Sequence, residues 1–297
     1  MSNRSADLAA LALKRAKPGI VLIGGVRTSY WQYNSKEAGA PTILFIHGYR
    51  GNHHGLEAIA GAMPDFTVII PDLPGFGESA EFPSEHNIAN YSAWMNALIP
   101  ALKLKSPIVL AHSFGTIVSS AALAQGADAS ALILVNPVSA PALKGPRAAL
   151  SWLTSLTLWF TNVVPEHIGN GILRSHLFVR TMSVVMAKTE DAKLRKWIHA
   201  QHDTNFNNYE SRRVAVEGYL ASISHTVAEY AHLISQPTLL IAGDKDDITT
   251  VAEQRSVREK FANAELVVLH KVGHLTHYER PGEIAAAVRS FYQKLKH

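Results

Sequence analysis

Over the first 137 residues, compact apolar runs alternate with longer segments suited to helices. Thr42–Ile46, Thr67–Ile70, Ile108–Leu110 and Ala131–Val135 are the compact runs, and continuous apolar character suits strands buried on both faces. Between them, Gly55–Met63, Ile88–Leu102 and Thr116–Ala124 read as helices, Ile88–Leu102 with its apolar residues on one side. Ile20–Ile23 and Val26–Tyr33, joined by Gly24-Gly25, read as a hairpin at a sheet edge. Asp7–Ala16 is a short helix or a poorly ordered tail. Strand and helix alternating at short intervals predict parallel strands with crossover helices, an α/β sheet covered on both faces.

The pattern changes after Asn136-Pro137. From Val138 to His232 the segments are helix-like and none is a strand. Ala148–Val164 presents Trp152, Leu153, Leu156, Trp159, Phe160 and Val163 as a wide apolar face. The same segment carries Ser151, Thr154, Ser155, Thr157 and Asn162 and is too polar for a membrane span. A packed helix pair satisfies this pattern, and so does a lid over a pocket, since insertions beyond the carboxyl edge of such sheets build binding sites. Strand and helix return with Thr238–Ala242, Val251–Phe261, Glu265–Leu269 and Glu283–Leu295, the last with Pro281 near its first turn. The expected organisation is one α/β core of residues 1–137 and 233–297, interrupted by a helical cap of residues 138–232.

Composition narrows the class. At 297 residues the chain can bury about three quarters of its unfolded surface. Apolar residues make up 47% and charged residues 18%, which fits much buried sheet and argues against disorder. With no cysteine there is neither a disulfide nor a thiolate nucleophile. The net charge of +4 is scattered without a dense basic run, which gives a nucleic-acid groove no support. Met1–Lys17 lacks the apolar core of a signal peptide, and no stretch of 18 predominantly apolar residues offers a membrane span. The expectation is a cytoplasmic protein without membrane insertion, a monomer or homodimer, acting on a small molecule.

The chemistry gathers around Ser106–Ser120. A short strand, a turn carrying Ser113 and a helix follow one another directly, the geometry of a nucleophile elbow that lifts a serine hydroxyl above a sheet. So sharp a turn demands small residues two places either side of the serine; these are Ala111 and Gly115. The helix that follows aims backbone N–H groups and its positive dipole end at the serine. A plain strand–helix turn that happens to hold serine is the bland alternative. A serine nucleophile needs a base, and the base a partner that fixes its tautomer. His274, after Gly273 and close behind the Glu265–Leu269 strand, is the leading base, with His277 its competitor. Asp246, three residues past Gly243, is the leading acid, flanked by Asp244 and Asp247. All three loops should open on one edge of the sheet. The oxyanion donors expected are the backbone N–H groups of Phe114 and of Tyr49, the latter in the loop after Thr42–Ile46; the Tyr49 side chain also suits a pocket wall. Of the 15 histidines, His53 and His54 lie near that loop, one of them a candidate pocket residue. His270, His274 and His277 span a strand end and a loop rather than one helix face, so no metal is expected.

His47-Gly48, the Pro71–Ser79 loop, the Ser113 elbow, Gly243 through Asp246, and Gly273-His274 occur in this order. In these five features the chain resembles the α/β-hydrolase superfamily, in the lid-bearing branch of esterases, C–C bond hydrolases and haloperoxidases. The resemblance covers almost the whole chain, least so residues 138–232. It implies an oxyanion donor in the His47-Gly48 loop, a structural role for Asp72, and no cofactor. Serine at the elbow excludes the ordinary aspartate-dependent dehalogenases and epoxide hydrolases of this fold. Leu275 stands where C–C hydrolases often carry tryptophan. The expectation is a serine hydrolase of small to medium, largely uncharged carboxylic esters. A C–C hydrolase, a thioesterase or a cofactor-free perhydrolase would use the same triad, and a slow-turnover small-molecule receptor is the alternative of another class.

Overall fold

The computed structural model describes residues 4–141, 156, 160–161 and 163–296. Eight strands form one sheet: β1 (Ala16–Ile23), β2 (Val26–Tyr33), β3 (Thr42–Ile46), β4 (Thr67–Pro71), β5 (Ile108–His112), β6 (Ala131–Val135), β7 (Thr238–Gly243) and β8 (Ala264–Leu269). Their order across the sheet is β1-β2-β4-β3-β5-β6-β7-β8. The β1–β2 and β2–β4 pairs are antiparallel; every other pair is parallel. The long apolar runs are therefore the interior strands, with every residue of β5, β6 and β7 buried.

Alternation along those strands divides the core into two layers. Leu44, Ile46, Val109, Leu132, Leu134 and Leu240 face one side. There they meet α3 (Ile88–Ala101) and α4 (Phe114–Ala124) through Trp94, Leu98, Ile117 and Ala121. Ile43, Phe45, Leu110, Ile133, Leu239 and Ile241 face the other. That layer is closed by α1 (Arg4–Leu13), α2 (Glu57–Ala62) and a C-terminal helix, Pro281–Leu295, through Ala12, Ile59, Ile284 and Val288.

The N-terminal stretch departs from the sequence expectation. Its helix ends at Leu13 rather than Ala16, and the first strand starts at Ala16 rather than Ile20. Pro18 and Gly19, poor strand residues, are tolerated because β1 is an edge strand, where a missing N–H breaks no interior ladder. The Tyr30 ring lies over Gly19, so close that an added Cβ would sit 2.4 Å from it. The same helix is no loose tail: it is seated on α2 at Gly61.

Between β6 and β7 the described elements are helices. The main ones are α5 (Glu166–Leu173), α6 (His176–Met186), α7 (Ala192–Asn205) and α8 (Arg212–Ser224), followed by short turns over Val227–Leu233. One isolated bridge, Phe76 to Tyr209, ties this segment to the Pro71–Ser79 loop. Most of the apolar segment Ala148–Val164 lies outside the described residues. No helix among the described residues is long and apolar enough to cross a membrane.

A Cβ added at Gly61 would lie 1.8 Å from the Leu8 carbonyl oxygen, a backbone atom that cannot swing aside. Gly61→Ala is expected to lower stability by about 1–3 kcal/mol, measured by urea unfolding against wild type.

Candidate active site

At the carboxyl end of β5 the chain turns sharply at Ser113, whose φ of 52° and ψ of −121° no residue with a Cβ adopts freely. The turn is fixed from both sides: the Ser113 N–H donates to Val135 O at 3.1 Å, and the Ser113 carbonyl accepts from the Thr116 N–H at 2.8 Å. Gly115 is dictated by packing. A Cβ there would stand 2.5 Å from Ile46 O and 2.6 Å from His47 O, so α4 is seated against the end of β3. Ala111 is fully buried within β5 and leaves the turn intact.

His274 Nε2 lies 2.7 Å from Ser113 Oγ, and His274 Nδ1 lies 2.9 Å from Asp246 Oδ2. The carboxylate accepts only, so Nδ1 carries the proton and Nε2 is left to accept from the serine hydroxyl. Asp246 also accepts from Asn136 Nδ2 at 2.8 Å and from the Ile248 N–H at 2.8 Å. Burial works to raise its pKa, but the His274 ring, the Ile248 N–H and the Asn136 amide outweigh it and hold the carboxyl below its ordinary range. The neighbouring candidates point elsewhere. Asp244 is paired with His270 at 3.3 Å, and Asp247 forms an ion pair with Lys188. His277 is buried with its ring 3.9 Å from that of His112.

The loop after β3 runs beside the serine: a Cβ added at Gly48 would be 3.1 Å from Ser113 Cβ. His47 holds this loop. Its Nε2 accepts the Leu73 N–H at 2.8 Å, so its Nδ1 carries the proton and donates to Gly48 O at 2.8 Å. Among the described residues, no protein acceptor is bonded to the N–H of Tyr49 or of Phe114. The Tyr49 ring does line the pocket, and its hydroxyl donates to Ala215 O of α8 at 2.6 Å. Asp72 accepts from the His53 N–H at 2.7 Å and the Glu78 N–H at 2.8 Å, which pins the Pro71–Ser79 loop to the β3 loop.

Neither His53 nor His54 lines the pocket, contrary to the sequence expectation. His53 is drawn the other way, its Nδ1 3.0 Å from Asp72 Oδ1 and its ring stacked on Trp31. His54 turns to Glu57 at 3.2 Å. These two histidines and Glu57 lie close enough to hold an ion; His53 Nδ1 is bonded to Asp72, His54 Nδ1 to Glu57, and Glu57 Oε1 also accepts from the Tyr33 hydroxyl.

A cavity of about 360 Å³ opens over Ser113 and His274. Its walls are largely apolar: Phe178, Met182, Val185, Phe206, Ile223 and Leu275 among them. Three of its residues escaped sequence reasoning, His112, Arg50 and His202, and so did Asn136, which lies behind the site against Asp246. Asn136 had a usable signal, a polar residue at the end of the wholly apolar strand β6; its φ of 47° turns the amide toward Asp246. Its Oδ1 accepts from the Thr276 hydroxyl.

His112 and His277 are buried beside His274. Burial, reinforced by the neighbouring histidines, pushes His112 down to about 3 and His277 well below its ordinary value. Both are neutral in the fold at pH 6 yet protonate near 6.5 once unfolded. Their folded values are depressed, so their contribution is complete above about pH 6.5 and is lost as pH falls from there toward the folded values. Stability should drop by up to about 1.4 kcal/mol per pH unit for each histidine. His277→Leu should remove one share of that slope, measured by unfolding free energy between pH 7 and pH 4.5.

Comparison with known proteins is consistent along the chain. The family model for the alpha/beta hydrolase fold matches residues 41–281. Lipase 1 of Psychrobacter immobilis is 27% identical over 279 residues, which span 92% of this chain and 82% of that one. Lipase 3 of Moraxella sp. (strain TA144) is 24% identical across 93% of this chain and 84% of its own. A thermophilic esterase from Thermogutta terrifontis superimposes with a TM-score of 0.75 at 18% identity, over 95% of this chain and all (100%) of that one. With the five sequence features on one sheet edge and the family match over most of its length, the chain belongs to the alpha/beta hydrolase fold family.

Proposed function

We propose that this hydrolase is a serine carboxylesterase that works through an acyl-enzyme on Ser113. The observation that carries the reading is the unbroken hydrogen-bonded line from Ser113 Oγ through His274 to Asp246. In this reading Ser113 Oγ attacks the ester carbonyl carbon as its proton passes to His274 Nε2. The carbonyl oxygen becomes an oxyanion, stabilised by the N–H groups of Phe114 and Tyr49. The tetrahedral intermediate collapses, His274 gives its proton to the departing alkoxide, and the alcohol leaves. Water then repeats the sequence on the acyl-enzyme: His274 takes its proton, and Ser113 recovers its own. Asp246 stays ionised throughout and steadies the imidazolium. Its pKa is held low and His112 and His277 are neutral, so no second positive charge competes with the imidazolium.

Residues 138–232 serve as the cap, and the rest as the core. Phe178, Met182 and Val185 on α6 and Ile223 on α8 face the cavity, so the cap sets which acyl group fits. The apolar lining favours esters with a small to medium apolar body. The names lipase and esterase on the relatives support an ester as the bond cleaved.

The test is a fluorophosphonate probe, followed by p-nitrophenyl esters of increasing acyl length. Wild type should label and hydrolyse the shorter esters. Ser113→Ala should lose labelling, with kcat down by about 10⁴-fold or more. Labelling that persists in Ser113→Ala overturns the assignment.

A further inference from the structure

Arg50 follows Tyr49 directly, yet its side chain is built into the helical segment between β6 and β7. It is buried, with 2% of its surface exposed. Nε donates to Phe206 O at 3.1 Å; one Nη2 donates to Leu173 O at 3.0 Å and to Asn207 Oδ1 at 2.6 Å. The guanidinium carbon sits 5.3, 4.9 and 5.0 Å from the ring centres of Phe178, Phe206 and Tyr209. No carboxylate among the described residues is paired with it, and the remaining residues of the chain include no Asp or Glu. Two helix ends take the counter-ion's place. Leu173 is the last residue of α5, and Phe206 caps the C-terminus of α7; each end presents unpaired carbonyls and about half a negative charge. Three aromatic faces add to this.

The backbone of Arg50 is as particular as its side chain. Gly51 N–H donates to Gly48 O at 3.0 Å, closing a turn with Tyr49 and Arg50 at its centre. Arg50 holds the third position at φ 56°, where glycine is the ordinary choice and an arginine is strained. The bonds made by the side chain offset that strain.

We propose that Arg50 is a positioning residue, which locks the loop bearing the Tyr49 N–H to the C-terminal ends of α5 and α7, so that the oxyanion donor is in place only when the helical segment is docked. The proposal rests on the serine-hydrolase reading above. Bond geometry at an oxyanion site is unforgiving: displacement of a donor by about 1 Å costs on the order of 10²-fold in rate.

The test compares Arg50→Met, which keeps the stem and removes the donors, with Arg50→Gly, which accepts the backbone angle without strain, and Arg50→Lys. For each, the melting temperature, kcat and KM on p-nitrophenyl butyrate, and the Ki of an alkyl trifluoromethyl ketone are measured. That ketone adds to Ser113 as an oxyanion and so reports on the Tyr49 and Phe114 donors. Arg50→Met and Arg50→Gly should lose about 10- to 100-fold in kcat, with KM changed less than kcat. Their Ki should weaken in proportion to kcat/KM, with Arg50→Lys between. A purely structural role would lower the melting temperature and leave kcat and Ki of the folded enzyme unchanged, which overturns the proposal. Asn207→Ala, which removes one bond to the guanidinium, serves where Arg50→Met does not fold; it should shift kcat and Ki together by about threefold, and unchanged values overturn the proposal equally. Ser113→Ala run alongside separates the two ideas. Turnover surviving there fells the serine reading and this one with it; turnover lost there but intact across the Arg50 and Asn207 variants fells this one alone.

Discussion

Everything at the carboxyl edge of this sheet depends on how closely α4 is pressed against β3. The contact leaves no room for a Cβ at Gly115, and it forces the intervening serine into a backbone conformation that costs on the order of 1–3 kcal/mol. That strain is sustained by the sheet itself. Val135 O at the end of β6 takes the Ser113 N–H, and β5 around it is wholly buried. A hydroxyl lifted clear of the strand at the start of a helix is the outcome, and the imidazole, the carboxylate and the β3 loop are arranged around where it stands.

The electrostatics of the site follow from burial. Asp246 has a fully covered side chain, and an ionised carboxylate there would be costly without partners. It has four: the His274 ring, the Asn136 amide and the N–H groups of Ile248 and Thr249. His112 and His277 face the same region without a carboxylate of their own, and desolvation keeps them neutral. Of these three neighbouring imidazoles, His274 is the one hydrogen-bonded to the Asp246 carboxylate. His112 further holds the backbone of His274, its Nε2 3.1 Å from the His274 carbonyl.

The helical segment between β6 and β7 is tied down at more than one place. Gly77 N–H donates to Asn208 O and Glu210 N–H to Gly75 O, which joins it to the loop that Asp72 stabilises. Tyr49 reaches α8 through its hydroxyl, and Arg50 reaches α5 and α7 through its guanidinium. The pocket wall and the loop beside Ser113 are thus mechanically one unit.

Much of this was legible in the residues alone. The apolar runs of β3, β5, β6 and β7 gave the interior strands, because a strand buried on both faces has no polar position to spare. The Ser113 turn was legible because its steric demand falls on residues two places away. His274 and Asp246 were legible as loop residues at strand ends, since strand ends in a parallel sheet share an edge. The N-terminal strand was read short because Pro18 and Gly19 argue against a strand everywhere except at an edge, and edge position is a property of the assembled sheet. Asn136 and Asp246 are 110 residues apart, and Arg50 and Leu173 are 123 apart. Local spacing decided where the chain turns and which side chain each turn presents. Which of those side chains meet was decided by sheet register and by the docking of the helices, because contacts between distant residues depend on packing that no local pattern encodes.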